Sequence, residues 1–396
     1  KWGFNLVRLH HLDAPWAKPN IFDNAYDDTQ HLSAESLDRL GHFIAELKKR
    51  GIYIYLDLLV SRKFKAGDQV AQYKKLSKGA KMAAQFDRRL IELQQKYARD
   101  LLLYENPYTG NRLVDEPAIV LTEIINESTL MRKSAKSFKR LPQVYLDRLQ
   151  DLWKENLRSR KVQNIESKMN HFLDVKRPEV QAFYSGLQMK YFREMTTFLR
   201  EIGLKIPIAG SNLGLAKWDL KTNAQLDFVD RHAYWDHPRG GYGDLVRFNN
   251  SLVAEEVRPQ GLRSEPKRFN PILKLSRLQI ENKPFVVGEW NINWPNEFRA
   301  LGPVLFAAYA LYQDWDGIIQ FNFEGSLFAD KISGNFDVGN KPGVFLQFAT
   351  VARLFHRRDV RVGEQRRKYA LDRKQEPAFE GALTGIIERT LEPHQT

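Results

Sequence analysis

The chain has 396 residues, of which 43% are hydrophobic, 12% aromatic and 28% charged, and its 61 basic against 48 acidic residues give a formal charge of +13. That length suits a single (β/α) barrel or two modest domains, the apolar content excludes a disordered chain, and no apolar run approaches the roughly 20 residues of a membrane-spanning helix. Cysteine is absent, which removes disulfides, thiolate metal sites and a cysteine nucleophile from consideration.

From the N-terminus onward, short apolar runs alternate with amphipathic stretches, the pattern of parallel strands joined by crossover helices. The sequence opens Lys1-Trp2-Gly3-Phe4 without a methionine or a signal-like basic stretch, so any targeting segment is expected upstream. Phe4 to His10 reads as a buried strand. Ser33 is placed to cap a helix with apolar Leu37, Leu40, Phe43, Ile44 and Leu47, and Gly51 ends it. Ile52 to Leu58 is almost continuously apolar, as a strand covered on its outer face by helices should be, and a basic loop and a helix near 86–103 follow. Further strands are expected at Ala118 to Ile125, Ile206 to Ala209, Leu226 to Tyr234, Pro284 to Glu289 and Gly317 to Phe323.

The count is seven strands, one short of a closed (β/α)8 barrel. The long connections after Glu127 and Tyr234 are expected as lids or rim helices. Residues 1–355 are expected to form the barrel, and residues 356–396 a charged tail or the start of a further module.

In a parallel barrel the strand C-termini and the loops after them build the active site. The polar residues at those ends are Arg8 with His10 or His11, Asp57, Asn126-Glu127, Ser211-Asn212, His232 with Tyr234, Glu289-Trp290, and Gln320 with Asn322. Two ends thus present a glutamate after an apolar strand. Cleavage of a glycosidic bond with retention needs two such carboxyl groups roughly 5 to 5.5 Å apart, one to protonate the leaving oxygen and one to attack the anomeric carbon.

Ile124-Ile125-Asn126-Glu127, Phe228-Val229-Asp230-Arg231-His232-Ala233-Tyr234 and Pro284-Phe285-Val286-Val287-Gly288-Glu289-Trp290 resemble, in that order, the fourth, sixth and seventh strands of the clan A glycoside hydrolases, most closely the family 5 (cellulase and mannanase) type. Gly3 to Leu9 is similar to that family's second strand and Gly51 to Asp57 to its third. The resemblance covers about residues 1–355. It implies a (β/α)8 TIM barrel apparently lacking its first strand at the N-terminus, and a retaining hydrolase of β-linked poly- or oligosaccharides with Glu127 as acid/base and Glu289 as nucleophile. It further implies that Asn126 binds the sugar 2-hydroxyl, that Arg8 keeps Glu289 ionised, and that Tyr234 donates a hydrogen bond to Glu289. His10, His232 and Asn322 would line the site, and Trp290, Trp235 and Trp16 would stack on sugar faces, whose C–H groups suit a rigid aromatic platform. Secretion or a periplasmic location follows from the same resemblance. The sequence departs from the family at Leu59, where a histidine is usual, and at Phe321-Asn322-Phe323, where a tryptophan is usual.

The partner expected is therefore a carbohydrate, with no membrane, no cofactor and no metal. Adjacent His10 and His11 would point to opposite faces of a strand and could not share an ion. Residues 61–100 and 131–180 together carry +14 while everything else sums to −1. If those segments overhang the site they would favour an anionic polysaccharide; otherwise they are solvated helix faces. Nucleic acid is not expected, because no helix-turn-helix, zinc-finger or RNA-recognition signature occurs. The alternatives to a hydrolase are a carbohydrate-binding protein with a truncated, inactive barrel and, less favoured, a polyanion- or nucleic-acid-binding protein.

Overall fold

The computed structural model describes residues 2–76, 79–131, 135–213, 217–235, 271–323 and 334–364. The connection after Tyr234 (236–270) and the tail from 365 lie outside the described residues. The chain divides into two units. The N-terminal unit comprises Leu6–Gly214 and Trp218–Asp227, and the C-terminal unit comprises Lys1–Asn5, Leu215–Lys217 and Phe228–Thr396.

A strand is found at each of the seven stretches read as one, with two of them running past the expected ends at Tyr234 and Glu289: β1 (Leu6–Leu9), β2 (Tyr53–Asp57), β3 (Ile119–Glu123), β4 (Ile208–Ala209), β5 (Val229–Trp235), β6 (Phe285–Ile292) and β7 (Gly317–Gln320). The N-terminal unit holds a parallel sheet in the order β1-β2-β3-β4, and the C-terminal unit a parallel sheet in the order β5-β6-β7. Ile54, Tyr55 and Leu56 of β2 are fully buried, as expected for a central strand with both faces covered.

Helix α1 (Ala34–Lys49) starts where Ser33 Oγ accepts the Ser36 N–H at 3.3 Å, and it ends where Gly51 takes a left-handed φ of 67°. Leu40, Ile44 and Leu47 are buried, but Phe43, expected on the same face, is 45% exposed. At 100° per residue Phe43 falls at the edge of the stripe that the other three define. A short helix α2 (Ala80–Ala83) precedes α3 (Arg88–Leu102), which Asp87 caps through the Leu90 N–H. The long connection after Glu127 contains α4 (Gln143–Ser159) and then leads to α5 (Pro178–Glu201).

The core of the N-terminal unit is one cluster in which Ile44, Ile54, Leu56, Leu101, Ile119, Leu149, Trp153, Tyr191 and Met195 are buried between sheet and helices. Each large apolar side chain so removed from water contributes about 1.5–3 kcal/mol. In the C-terminal unit α6 (Gly302–Gln313) packs against β7 and α7 (Gln347–Arg357) against α6, and Val338, Val344, Phe345 and Phe348 form a smaller cluster.

Candidate active site

In the N-terminal unit the parallel register puts Asp57 of β2 beside Glu123 of β3. Arg8 reaches both. Its Nε lies 3.0 Å from Asp57, and its Nη2 donates to Glu123 at 2.9 Å and to Asn126 Oδ1 at 3.1 Å. All three charged side chains are at most 3% exposed, a burial that is tolerable because each charge faces an opposite one. Burial acts to raise the Asp57 pKa, but Arg8 and a short hydrogen bond with His10 Nδ1 outweigh it and hold the carboxyl below its ordinary range.

Asn126 Oδ1 accepts a second hydrogen bond, from Asn212 Nδ2 at 2.9 Å, and Asn212 Nδ2 also lies 2.8 Å from Glu123. With Oδ1 doubly engaged, the orientation of the Asn126 amide is fixed and Nδ2 is left to donate. Glu127 follows in a turn at φ 45°, a conformation uncommon outside glycine, and its N–H donates to Asn212 Oδ1 at 2.8 Å. The side chain of Glu127 is half-buried.

His10 and His11 do not point to opposite faces. β1 ends at Leu9 and His11 turns at φ 63°, so the two rings meet edge to face with centroids 3.9 Å apart. Burial, together with the neighbouring His10, pushes the His11 pKa down to about 3. His11 in turn lies against Trp16, which is 61% exposed.

In the C-terminal unit His232 of β5 is the register partner of Glu289 of β6. The Tyr234 hydroxyl donates to Glu289 Oε2, and His232 Nδ1 stands 3.4 Å from the same oxygen. The backbone before Glu289 is fixed by Asp230, whose Oδ1 accepts the Gly288 N–H at 2.7 Å. A β-carbon on Gly288 would overlap that carboxylate, which accounts for glycine there. Asn322 is half-buried after β7, and Asn291 Nδ2 holds the nearby chain by donating to the carbonyls of Phe321 at 2.5 Å and Phe336 at 2.7 Å.

Two of the three tryptophans expected as sugar platforms are packed instead. Trp290 is 1% exposed and stacked on Phe306, and Trp235 is 3% exposed and clustered with Ile292 and Leu305. Both rings have their faces in the core, where no pyranose can lie on them. Trp16 alone of the three presents its ring to solvent.

Three residues at these sites were not singled out in the sequence. Glu123 could have been, since it is the one charge inside the apolar run Ile119 to Ile125. Lys81 and Gln85 carry no such signal, because their place beside Asn126 and Ser128 depends on how the connection after β2 folds back.

No family model matches the chain, and no curated protein does. Solved structures do. An endo-β-1,4-mannanase from Thermotoga petrophila superposes with a TM-score of 0.51 at 15% identity, covering 93% of this chain and 72% of its own. A glycoside hydrolase family 5 mannosidase from Rhizomucor miehei gives 0.54 at 12% identity over 90% and 85%. The chain has the fold of these glycoside hydrolases, the (β/α) barrel, with seven parallel strands among the described residues. A β-galactosidase from Rahnella sp. R3 shares it at a TM-score of 0.51 and 14% identity, with 90% of this chain and 52% of that one covered. Asp57 and Glu123 end their strands and Asn126, Glu127, Asn212 and Asn322 follow theirs, at the end that bears function in barrels generally, whereas His232 and Glu289 lie near the middle of β5 and β6.

Proposed function

We propose that the chain is a retaining β-glycosidase in which Glu127 is the acid/base and Glu289 the nucleophile. The observation that carries this reading is the contrast between the two glutamates' surroundings. Glu289 is buried and receives the Tyr234 hydroxyl, whereas Glu127 is half-exposed on a turn pinned through its backbone. One environment orients a carboxylate for attack, and the other leaves a carboxyl reachable by substrate and water.

In the first step Glu127 gives its proton to the glycosidic oxygen, the C1–O bond breaks with its electron pair leaving on that oxygen, and Glu289 bonds to C1. In the second, water attacks C1, Glu127 takes the water's proton, and the bond between C1 and Glu289 breaks, restoring both residues. Asn126 Nδ2, left available by the two bonds at Oδ1, donates to the sugar 2-hydroxyl, a contact that strengthens in the oxocarbenium-like transition state. The mannanase and mannosidase among the similar structures make β-mannosides the first substrates to assay.

The test is a panel of 2,4-dinitrophenyl β-mannoside, β-glucoside and β-galactoside, with the anomeric configuration of the first-formed product followed by proton NMR. Turnover with retained configuration is expected. Glycan binding without turnover would establish the non-catalytic alternative, and inverted product would reject double displacement.

A further inference from the structure

We infer that Lys81 and Gln85 are positioning residues that clamp the two neighbours of Glu127, the first through the Asn126 carbonyl and the second through the Ser128 hydroxyl; this rests on the acid/base reading above. Lys81 lies on α2 and Gln85 just beyond its end, four residues apart, so one helical turn sets them on the same side. Lys81 Nζ donates to the Asn126 carbonyl oxygen at 2.8 Å. Gln85 Nε2 donates to Ser128 Oγ at 2.9 Å. The residue between Asn126 and Ser128 is Glu127.

The clamp acts where the backbone needs it. A non-glycine residue at φ 45° carries local strain that persists only where the surroundings hold it. Within the N-terminal unit that hold comes from several directions: the Asn126 N–H donates to the Leu59 carbonyl at 2.8 Å, Glu127 and Ser128 N–H donate to Asn212 Oδ1 and Ser211 Oγ, and Ser211 Oγ donates back to the Ser128 carbonyl at 2.7 Å. Lys81 and Gln85 add a bond to the residue on each side of Glu127, one to the Asn126 carbonyl and one to the Ser128 hydroxyl. Lys81 is half-buried and Gln85 is buried, which strengthens both bonds relative to water. Lys81 also belongs to the basic segment 61–100, so at least one of its cations has a role in the interior rather than on a solvated face.

An acid/base carboxyl displaced by about 1 Å loses on the order of 100-fold in proton transfer. That loss shows only where a proton must be delivered. Lys81→Met should therefore reduce kcat/KM for phenyl β-mannoside by about 10- to 100-fold and that for 2,4-dinitrophenyl β-mannoside, whose leaving group needs no proton, by less than about threefold. Gln85→Leu should do the same more weakly, and Lys81→Arg, which keeps the donor, should recover most of the loss.

A second measurement reads the clamp with no substrate. Amide hydrogen exchange in the segment 124–130 should quicken in Lys81→Met while β2 keeps its protection. Unchanged exchange in 124–130, or an equal loss on both glycosides, overturns the inference. If the unaltered chain turns over no glycoside of the panel, the hydrolase reading fails and the exchange measurement still decides whether the clamp exists.

Discussion

The indole of Trp290 stacks on the ring of Phe306, with centroids 4.3 Å apart and planes within 15° of parallel. The residue beside the proposed nucleophile therefore acts as a packing anchor between β6 and α6. Deleting it leaves a cavity as well as losing transfer energy, so Trp290→Ala should destabilise the protein by about 3–5 kcal/mol, seen as a lowered urea midpoint. Trp16→Ala should leave that midpoint unchanged, since the ring is 61% exposed, and should raise KM for oligosaccharides without lowering kcat on an aryl glycoside. A large stability loss at Trp16, or none at Trp290, would reverse the two assignments.

Why the sequence misjudged these rings is physical. Periodicity locates a strand but not the layer its aromatics pack against, and Trp290 is claimed by Phe306 of α6, sixteen residues further on. The strands themselves were legible because each is a short apolar run between turn residues, and the polar residues at their ends could be listed on that basis. Arg8 was legible as a site residue, but its bonds to Asp57 and Glu123 depend on the parallel register of β1, β2 and β3, which no local pattern encodes. The charge segments show the same limit. Arg62 of the first segment is fully buried, donating to the carbonyls of Leu93 and Thr29 at 2.8 and 2.6 Å, whereas Arg88, Lys96 and Arg177 form surface ion pairs.

His11 predicts a pH dependence of stability. Its folded-state pKa of about 3 lies below the ordinary histidine value, so between roughly pH 6.5 and 3 the unfolded chain binds a proton that the folded chain does not. Stability should therefore fall with acidification through that window, by up to about 1.4 kcal/mol per pH unit for the one proton. His11→Asn, which tolerates the left-handed φ, should flatten the slope of urea midpoint against pH there. Asp57 acts in a lower window: its depressed carboxyl contributes stability above the unfolded pKa of about 3.9 and loses it as pH falls through the folded value. An unchanged slope in His11→Asn would show that this imidazole protonates normally in the folded chain.

Tyr234 predicts a kinetic effect confined to the nucleophile. Its hydroxyl is a hydrogen-bond donor to Glu289 Oε2, and a bond to a charged acceptor in a buried site contributes about 1.5–3 kcal/mol. Tyr234→Phe should lower kcat/KM on 2,4-dinitrophenyl glycosides by about 10- to 100-fold. The loss should be similar for good and poor leaving groups, in contrast to the pattern expected at Lys81. A loss restricted to poor leaving groups would move Tyr234 to the proton-transfer side of the reaction.

The two glutamates are separated most sharply by an external nucleophile. Glu127→Ala keeps Glu289, so a substrate with a good leaving group still forms the glycosyl-enzyme, which then waits for a nucleophile that no base activates. Azide needs no base, so it should restore turnover and give the β-glycosyl azide, the product of two inversions. Glu289→Ala forms no glycosyl-enzyme and should lose activity on all substrates alike, since removing the attacking oxygen blocks the first step regardless of the leaving group. Azide fitting the vacated space then attacks C1 directly and gives the α-azide by a single inversion. NMR of the two azide products assigns the roles independently of rates. The same anomer from both variants, or a β-azide from Glu289→Ala, would reject the assignment of Glu289 as nucleophile.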